Sequence, residues 1–469
     1  MKLKQGLEAF KQKIKKISLW TWFALFSFFF IANNYSNLIF WKYWKTPFIS
    51  DASSYYSYLP SAFIYHTKHF QGLQDYWIIP APNGDGAPKM TMGVAVMETP
   101  FFLLGDWIAN HNDYEPNGFT PPYIWCIYFG MIFYVLAGLW YLYRMLILYF
   151  HPLASILTVF AIFYATNLLF YTVSMGQMAH AYAFTLFCFF LFNAVKWHRD
   201  KRPANLYLCA FIGGLIFLVR PPDVIIFIVL PFLGVLNGET LLSTMSSFWS
   251  ARKKVIFAAL LFLLTICPQF IYWKINTGQF YFDAYKGEHF FWTDPQLINF
   301  FFSYRKGFFL YSPVMILAFL GFIPLYRKYK HLFWPAFLFT LLNIYIITCW
   351  WDWTYSGSFG SRALVDSFGL LAIPLCALIQ ALILGFKNKW LKVSSALVTC
   401  VLLYLCFSLN LSMTKAFNSG HIHYSDMSKE AYWMIFNKET FTKEETAKIM
   451  KAFKPLPSKQ MLGGKRDDK

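Results

Sequence analysis

Long apolar runs recur along this chain, and short clusters of Lys and Arg separate them. A run of about 17–25 apolar residues can enter lipid only as a helix, because no other single segment satisfies its own backbone there. The pattern predicts an all-α polytopic membrane protein. The runs fall near residues 17–31, 121–148, 153–173, 175–195, 204–219, 224–236, 255–273, 308–326, 332–350, 364–386 and 393–413, roughly eleven transmembrane helices by length. Two short runs flank Arg220-Pro221-Pro222-Asp223, where one bent span is the competing reading.

The basic clusters decide between these. Cytoplasmic loops carry an excess of Lys and Arg. Lys2, Lys4, Lys11, Lys13, Lys15 and Lys16 precede the first run and are expected on that side. With two segments around Arg220, four later clusters join them: Lys196/Arg199/Lys201/Arg202, Arg252/Lys253/Lys254, Arg327/Lys328/Lys330 and Lys387/Lys389/Lys392. One bent span would send the last three to the opposite side. Two segments are therefore expected.

This topology makes residues 1–413 a transmembrane unit, with a long first outer loop at 33–120 carrying an interfacial helix near Ser53–Tyr65. Residues 414–469 form a non-cytoplasmic tail. The other outer segments are the Thr172–Gln177 turn, the Arg220–Asp223 corner, Lys274–Gly307 and Trp351–Ala363.

Composition removes other classes. The chain is 57% hydrophobic and 14% charged, against about 25% charged in soluble domains. Its net charge of +18 sits in inter-span clusters, with no basic stripe or nucleic-acid motif. The eight cysteines lie mostly in apolar runs without a Cys-x-x-Cys, which excludes a zinc site or disulfide framework. The first run lacks a small-residue cleavage site and continues into Asn33-Asn34-Tyr35, so it reads as a retained helix.

The unusual polar residues gather on the outer side. Asp51 opens the first outer loop, in Ser50-Asp51-Ala52-Ser53-Ser54-Tyr55-Tyr56. It reads as a general base at the water–lipid boundary or as a helix N-cap. Asn83-Gly84-Asp85-Gly86-Ala87-Pro88 is a turn that lacks the spaced ligands of a calcium loop. Lys89 follows it, as a phosphate contact or a snorkelling side chain. His180 lies at the outer end of the fourth run, as a ligand-binding imidazole or a packing residue. Arg220 suits bidentate phosphate contact, and a pair with Asp223 is the bland reading. Glu288, Arg305 and Lys306 follow in the fourth outer loop, where the two cations bind an anion or pair with Glu288. Trp351-Asp352-Trp353 and Arg362 close the series, the tryptophans serving as an interfacial belt or a sugar-stacking surface. The His66/His69 and His421/His423 pairs lack a third metal ligand.

In this order the segments resemble the GT-C superfamily of integral-membrane glycosyltransferases. The likeness is to the family 39-like branch of protein mannosyltransferases and aminoarabinose transferases. It rests on Asp51 with Tyr55-Tyr56, Lys89, Pro100-Phe101-Phe102, His180 and Phe217-Leu218-Val219-Arg220-Pro221. Phe302-Ser303-Tyr304-Arg305-Lys306-Gly307 and Ser358-Phe359-Gly360-Ser361-Arg362 extend it. The motifs are short and span Leu19 to Leu384. Ala52 stands where many relatives carry a second acid, and Met90-Thr91 where they often have prolines. The tail has no counterpart.

The resemblance implies a GT-C-like fold and a polyprenyl-phosphate-linked sugar as donor. The acceptor is a hydroxyl on a glycan, lipid or protein. Asp51 would be the catalytic base of an inverting transfer. Lys89, Arg220, Arg305, Arg362 and His180 would bind the lipid phosphate, while Tyr55, Tyr56, Glu288, Trp351 and Asp352 would contact sugar or acceptor. The scheme requires no metal, and a divalent cation is compatible with it. Membrane lipids are the other expected partners, and nucleic acid is not one. A bacterial inner membrane with the site facing the periplasm is expected. The competing class is a lipid or solute transporter or flippase of the cell-envelope glycan pathway. Against it stand the absence of an internal repeat and charges placed mainly at span ends.

Overall fold

Among the described residues, six helices are long and apolar enough to cross a membrane: Pro121–Leu146, Ala179–Asp200, Arg252–Thr277, Lys330–Cys349, Arg362–Leu384 and Lys389–Asn418. Three shorter apolar helices, Pro152–Tyr164, Pro203–Val219 and Pro221–Leu233, accompany them. The computed structural model describes residues 18–33, 48, 50–67, 77–83, 85–233, 241–438 and 440–455. The N-terminal basic cluster, His69 and the last residues of the tail lie outside the described residues.

Among the described residues, six of the roughly eleven expected runs form single helices of that length, and two of the others are interrupted. The 153–173 run divides into Pro152–Tyr164 and Leu168–Val173, with Thr166 Oγ1 accepting the Leu168 N–H at 3.2 Å in the break. The 308–326 run divides at Ser312-Pro313. Proline sets the starts of Pro121–Leu146, Pro152–Tyr164 and Pro203–Val219, where its missing N–H costs nothing. The only sheet among the described residues is the antiparallel ribbon Ile78–Pro80 with Gly86–Pro88, which pairs Ile79 with Ala87.

Contacts between helix ends sort the bundle into two faces. At one end, His198 Nε2 lies 2.7 Å from the Leu230 carbonyl and stacks edge-on against Phe248, just before Arg252. There the His151 N–H donates to Gln380 Oε1 at 2.6 Å, and Gln380 Nε2 donates to Tyr329 OH at 2.8 Å. All four basic clusters after the N-terminus adjoin these residues. At the other end, Asn410 Nδ2 donates to the Tyr164 and Thr166 carbonyls, and Asn167 Nδ2 to that of Phe359.

The Arg220 region is a hairpin. Ala179–Asp200 runs from His180 to His198 between the two faces. Arg220 meets His180, whereas Leu230 meets His198. Pro203–Val219 and Pro221–Leu233 therefore cross the bundle in opposite directions with Arg220 at the corner. Phe227 folds back over Gly213, where a Cβ would fall 2.2 Å from its ring.

The first outer loop carries the expected short helices, Asp51–Tyr56 and Tyr58–Phe63, then the ribbon and the helix Gly93–Asn110. The tail forms Lys429–Ile435 and Lys443–Ala452, and it buries Met427, Ala431, Tyr432, Ile435 and Ile449 against the main core. Helix Lys389–Asn418 continues past Met413 into the tail.

Candidate active site

Asp51 is released from capping by its own backbone. Ser50 precedes the helix at φ 57° and ψ −141°, a conformation that strains a residue with a Cβ. No side chain caps the helix, and Ser53 returns its Oγ–H to the Ser50 carbonyl at 2.8 Å. The Asp51 carboxylate instead receives Arg362, with Nη2 3.0 Å from Oδ2. Arg362 begins a 3-10 helix, Arg362–Ser367, just after Gly360 at φ 61°. The side chains of the pair are 12% and 11% exposed, so both charges are largely out of water. Arg362 Nε is buried without a partner.

Beneath this pair lies a second charged group. Arg220 Nη1 donates to Asp366 Oδ2 and lies 3.1 Å from His180 Nδ1, which is itself 3.1 Å from Asp366 Oδ1. His180 Nδ1 can accept from Arg220 or donate to Asp366, and one proton serves one of the two. Burial alone would lower the Arg220 pKa, but the carboxylates of Asp366 and Asp223 outweigh it and hold it above the ordinary value. Tyr55 joins the two groups. Burial raises its pKa, and so do Asp51 and Tyr285, against the opposing pull of Arg220 and Arg362. Its phenol therefore stays protonated and available as a donor.

Close packing sets where Arg220 sits. A Cβ on Gly93 would fall 2.2 Å from the Leu218 carbonyl carbon and from the Val219 nitrogen. Only glycine lets the first outer loop approach the end of Pro203–Val219 so closely. Met90 N–H donates to Ser54 Oγ at 2.9 Å and Met92 N–H to Gln269 Oε1 at 2.7 Å, which anchor the same loop.

A third group forms the outer rim. Lys89 pairs with Glu288, whose other oxygen accepts the Trp351 indole N–H at 2.8 Å. The ammonium lies 4.8 Å from the centre of the Tyr285 ring and 5.8 Å from that of Trp77. Burial raises the Tyr285 pKa, and Asp51 and Glu288 add to it, so Tyr285 stands between the rim and the central pair.

Asp51, Tyr55, Lys89, His180, Arg220, Glu288, Trp351 and Arg362 thus gather at one end of the bundle. Three other expected contacts are engaged elsewhere. Tyr56 points away, donating to the Gly118 carbonyl and stacking on Phe48 at 3.7 Å. Asp352 holds its own loop by accepting from Thr354 N–H, Thr354 Oγ1 and Ser356 Oγ, where Tyr355 and Ser356 take positive φ. Arg305 donates to the Ser425 carbonyl at 2.9 Å and the Lys454 carbonyl at 2.5 Å, both in the tail. Glu288 pairs with Lys89 and not with Arg305 or Lys306.

Asp366 and Tyr285 are the residues that sequence reasoning missed, whereas Lys306, expected to bind an anion or to pair with Glu288, is turned to another use. Lys306 is buried and donates to the carbonyls of Ser358 and Tyr424, which ties the Arg362 loop to the tail. Burial lowers its pKa, Arg362 lowers it further, and Asp352 opposes them. An acid inside an apolar run was the available signal for Asp366. Among the described residues, no group of three or more His, Cys, Asp or Glu is placed to hold a metal ion.

No family model matches the chain, and no curated protein matches it. Solved structures are similar to it. One is the archaeal oligosaccharyltransferase AglB from Archaeoglobus fulgidus, in complex with an inhibitory peptide and a dolichol-phosphate. It is 12% identical, with 87% of this chain and 56% of that chain covered and a TM-score of 0.49. The apo form of the Archaeoglobus fulgidus oligosaccharyltransferase gives 15% identity, the same coverage and a TM-score of 0.45. ArnT from Cupriavidus metallidurans in the apo state is 10% identical, with 89% of this chain and 76% of that chain covered and a TM-score of 0.47. The chain spans little more than half the length of the oligosaccharyltransferases.

Proposed function

We propose that the protein is a membrane glycosyltransferase that moves a sugar from a polyprenyl-phosphate donor to an acceptor hydroxyl. The observation that carries this reading is the Asp51–Arg362 pair, in which a candidate base and a candidate anion ligand share one contact. In the resting protein Arg362 holds the carboxylate. A donor phosphate would compete for the same guanidinium, whose planar fork suits phosphate, and would free Asp51 toward the acceptor.

Asp51 then takes the acceptor hydroxyl proton. The acceptor oxygen bonds to the anomeric carbon from the face opposite the phosphate. The carbon–oxygen bond to the phosphate breaks, and its electron pair leaves on the polyprenyl phosphate. The anomeric configuration inverts. Arg362 meets the charge that develops on the leaving oxygen, supported by Arg220 behind it and Lys89 at the rim. Tyr55 donates from between the two charged groups. Glu288 and Trp351 present a polar rim with an aromatic face, suited to sugar hydroxyls and a sugar ring.

The basic clusters at the opposite end of the bundle support a non-cytoplasmic site, the periplasmic side in a bacterial inner membrane. The test is transfer by the purified protein from a panel of polyprenyl-phosphate sugars to extracted glycan, lipid and peptide acceptors, read by mass spectrometry. Asp51→Asn is expected to lower the rate about 10²–10⁴-fold. Undiminished transfer by that variant refutes the base assignment. No transfer from any donor, with vesicle uptake of the same compounds, favours a transporter.

A further inference from the structure

The tail builds a cleft of its own, separate from the Asp51 group. It has a volume of about 600 Å³ and lies between the 303–305 segment and the tail, walled by Tyr304, Arg305, Lys429, Glu430, Trp433 and Lys454. We infer that this cleft is a second binding site, for an anionic saccharide.

The aromatic wall is the first support. Trp433 is 55% exposed although its neighbours Ala431, Tyr432 and Ile435 are buried in the core. The helix thus has a well-filled inner face and still presents an indole outward. Tyr304 stands edge-on to it at 6.4 Å. Phe436 and Tyr432 pack against the same indole, 5.1 and 5.5 Å between ring centres, and its exposed remainder beside Tyr304 offers the flat apolar contact that one side of a sugar ring needs.

Charge is the second. The lining holds three cations, Arg305, Lys429 and Lys454, against one acid, Glu430. Arg305 is fixed in orientation by the Ser425 and Lys454 carbonyls, which accept its protons without cancelling its charge. Asp426 pairs with it at 3.8 Å from outside the cleft lining. Among the described residues, Lys429 forms no ion pair, and neither does the Lys454 ammonium. A cationic floor suits a carboxylate or phosphate on the ligand.

Glu430 and the hydroxyls of Ser303 and Ser428 line the same cleft. Ser303 and Ser428 already accept the Arg305 and Ala431 N–H at 3.2 and 3.1 Å, so Glu430 is the acceptor for sugar hydroxyls, a group that a bare phosphate headgroup would leave unused. The volume lies within the range of pockets for small ligands. The site also touches the Asp51 group through adjacent residues, since Arg305 faces the cleft and Lys306 holds the Arg362 loop. The inference goes beyond the transferase reading and stands without it, because binding is measured with no transfer reaction.

The test is calorimetric titration of the full-length protein in detergent with tetragalacturonate, the neutral maltotetraose, inorganic phosphate, and phosphatidylglycerol vesicles as competitor. Saturable binding of tetragalacturonate, about tenfold tighter than maltotetraose or phosphate, is expected. Trp433→Ala and the pair Lys429→Ser/Lys454→Ser should each weaken it about tenfold, with Trp433→Phe restoring part of the loss. These side chains lie on the cleft wall, and an unchanged melting temperature excludes misfolding. Absence of saturable tetragalacturonate binding overturns the inference, as does binding indifferent to all of these substitutions. Preferential occupation by phosphatidylglycerol also overturns it and makes the cleft a lipid contact.

Discussion

Arg362 Nη2 lies 3.0 Å from Asp51 Oδ2, joining the first outer loop to the last loop before the final pair of spans. Both side chains are nearly buried, so each charge depends on the other. Asp51→Asn and Arg362→Gln should each lower stability, by about 3 kcal/mol for the arginine, because the remaining charge is stranded. The double variant should recover about 1–3 kcal/mol relative to the sum of the singles and still lack transfer. Thermal unfolding beside the transfer assay reads both. Additive losses of stability would show that the pair does not couple.

Gly93→Ala places a methyl group against the backbone of Leu218 and Val219, next to the Arg220 corner. Backbone cannot swing aside as a side chain does, so a loss of about 1–3 kcal/mol is expected. Gly357 is the control, since a Cβ there meets nothing nearer than 3.5 Å. Equal melting temperatures for the two alanine variants would contradict the packing argument.

Glu98 gives a pH dependence. It is 1% exposed, accepts from Tyr182 OH at 3.0 Å, and has a second oxygen without a partner. Burial raises its pKa from the ordinary 4.5 to about 8, against a smaller lowering by the Tyr182 hydrogen bond. Because the folded value lies above the unfolded one, its stabilising contribution is complete below 4.5 and is lost as pH rises through about 8. The melting temperature should fall across that window in the parent protein. In Glu98→Gln the fall should be shallower, and an identical slope would count against a protonated Glu98.

Lys306 holds the Arg362 loop to the tail through the Ser358 and Tyr424 carbonyls. Lys306→Met keeps the aliphatic bulk and strands both acceptors, at about 1–3 kcal/mol. Hydrogen exchange over residues 356–362 should rise in this variant and in a chain truncated after Asn418. Unchanged exchange in both would leave the tail without a part in positioning Arg362.

Much of this was legible in the sequence. Apolar length and basic clusters predicted a polytopic helical protein, and the Pro221-Pro222 corner with its charge alternation predicted the hairpin that places Arg220 beside His180. Asp51, Lys89, Glu288 and Arg362 were legible as rare polar residues on one side. The pairings were not. Tyr55 and Tyr56 point about 100° apart on one helix, and only packing tells which faces Asp51. Arg305 and Lys306 are adjacent cations, and the tail's carbonyls decide which one turns inward. Asp366 was hidden in an apolar run, where its partner Arg220 comes from a distant segment. Spans broken at Ala165–Asn167 and Ser312-Pro313 read as continuous because hydropathy does not register a backbone break.

The order of synthesis gives the Arg362 segment a further consequence. Asp51 emerges early, His180 and Arg220 midway, and Arg362 and Asp366 only near the end. At about 5–20 residues per second the first carboxylate waits on the order of tens of seconds for its guanidinium. Until then a nascent chain already in the bilayer carries Asp51 without Arg362, and Arg220 with Asp223 but not Asp366. A product that stops short of Arg362 keeps Asp51 unmatched and leaves Arg220 to Asp223 alone.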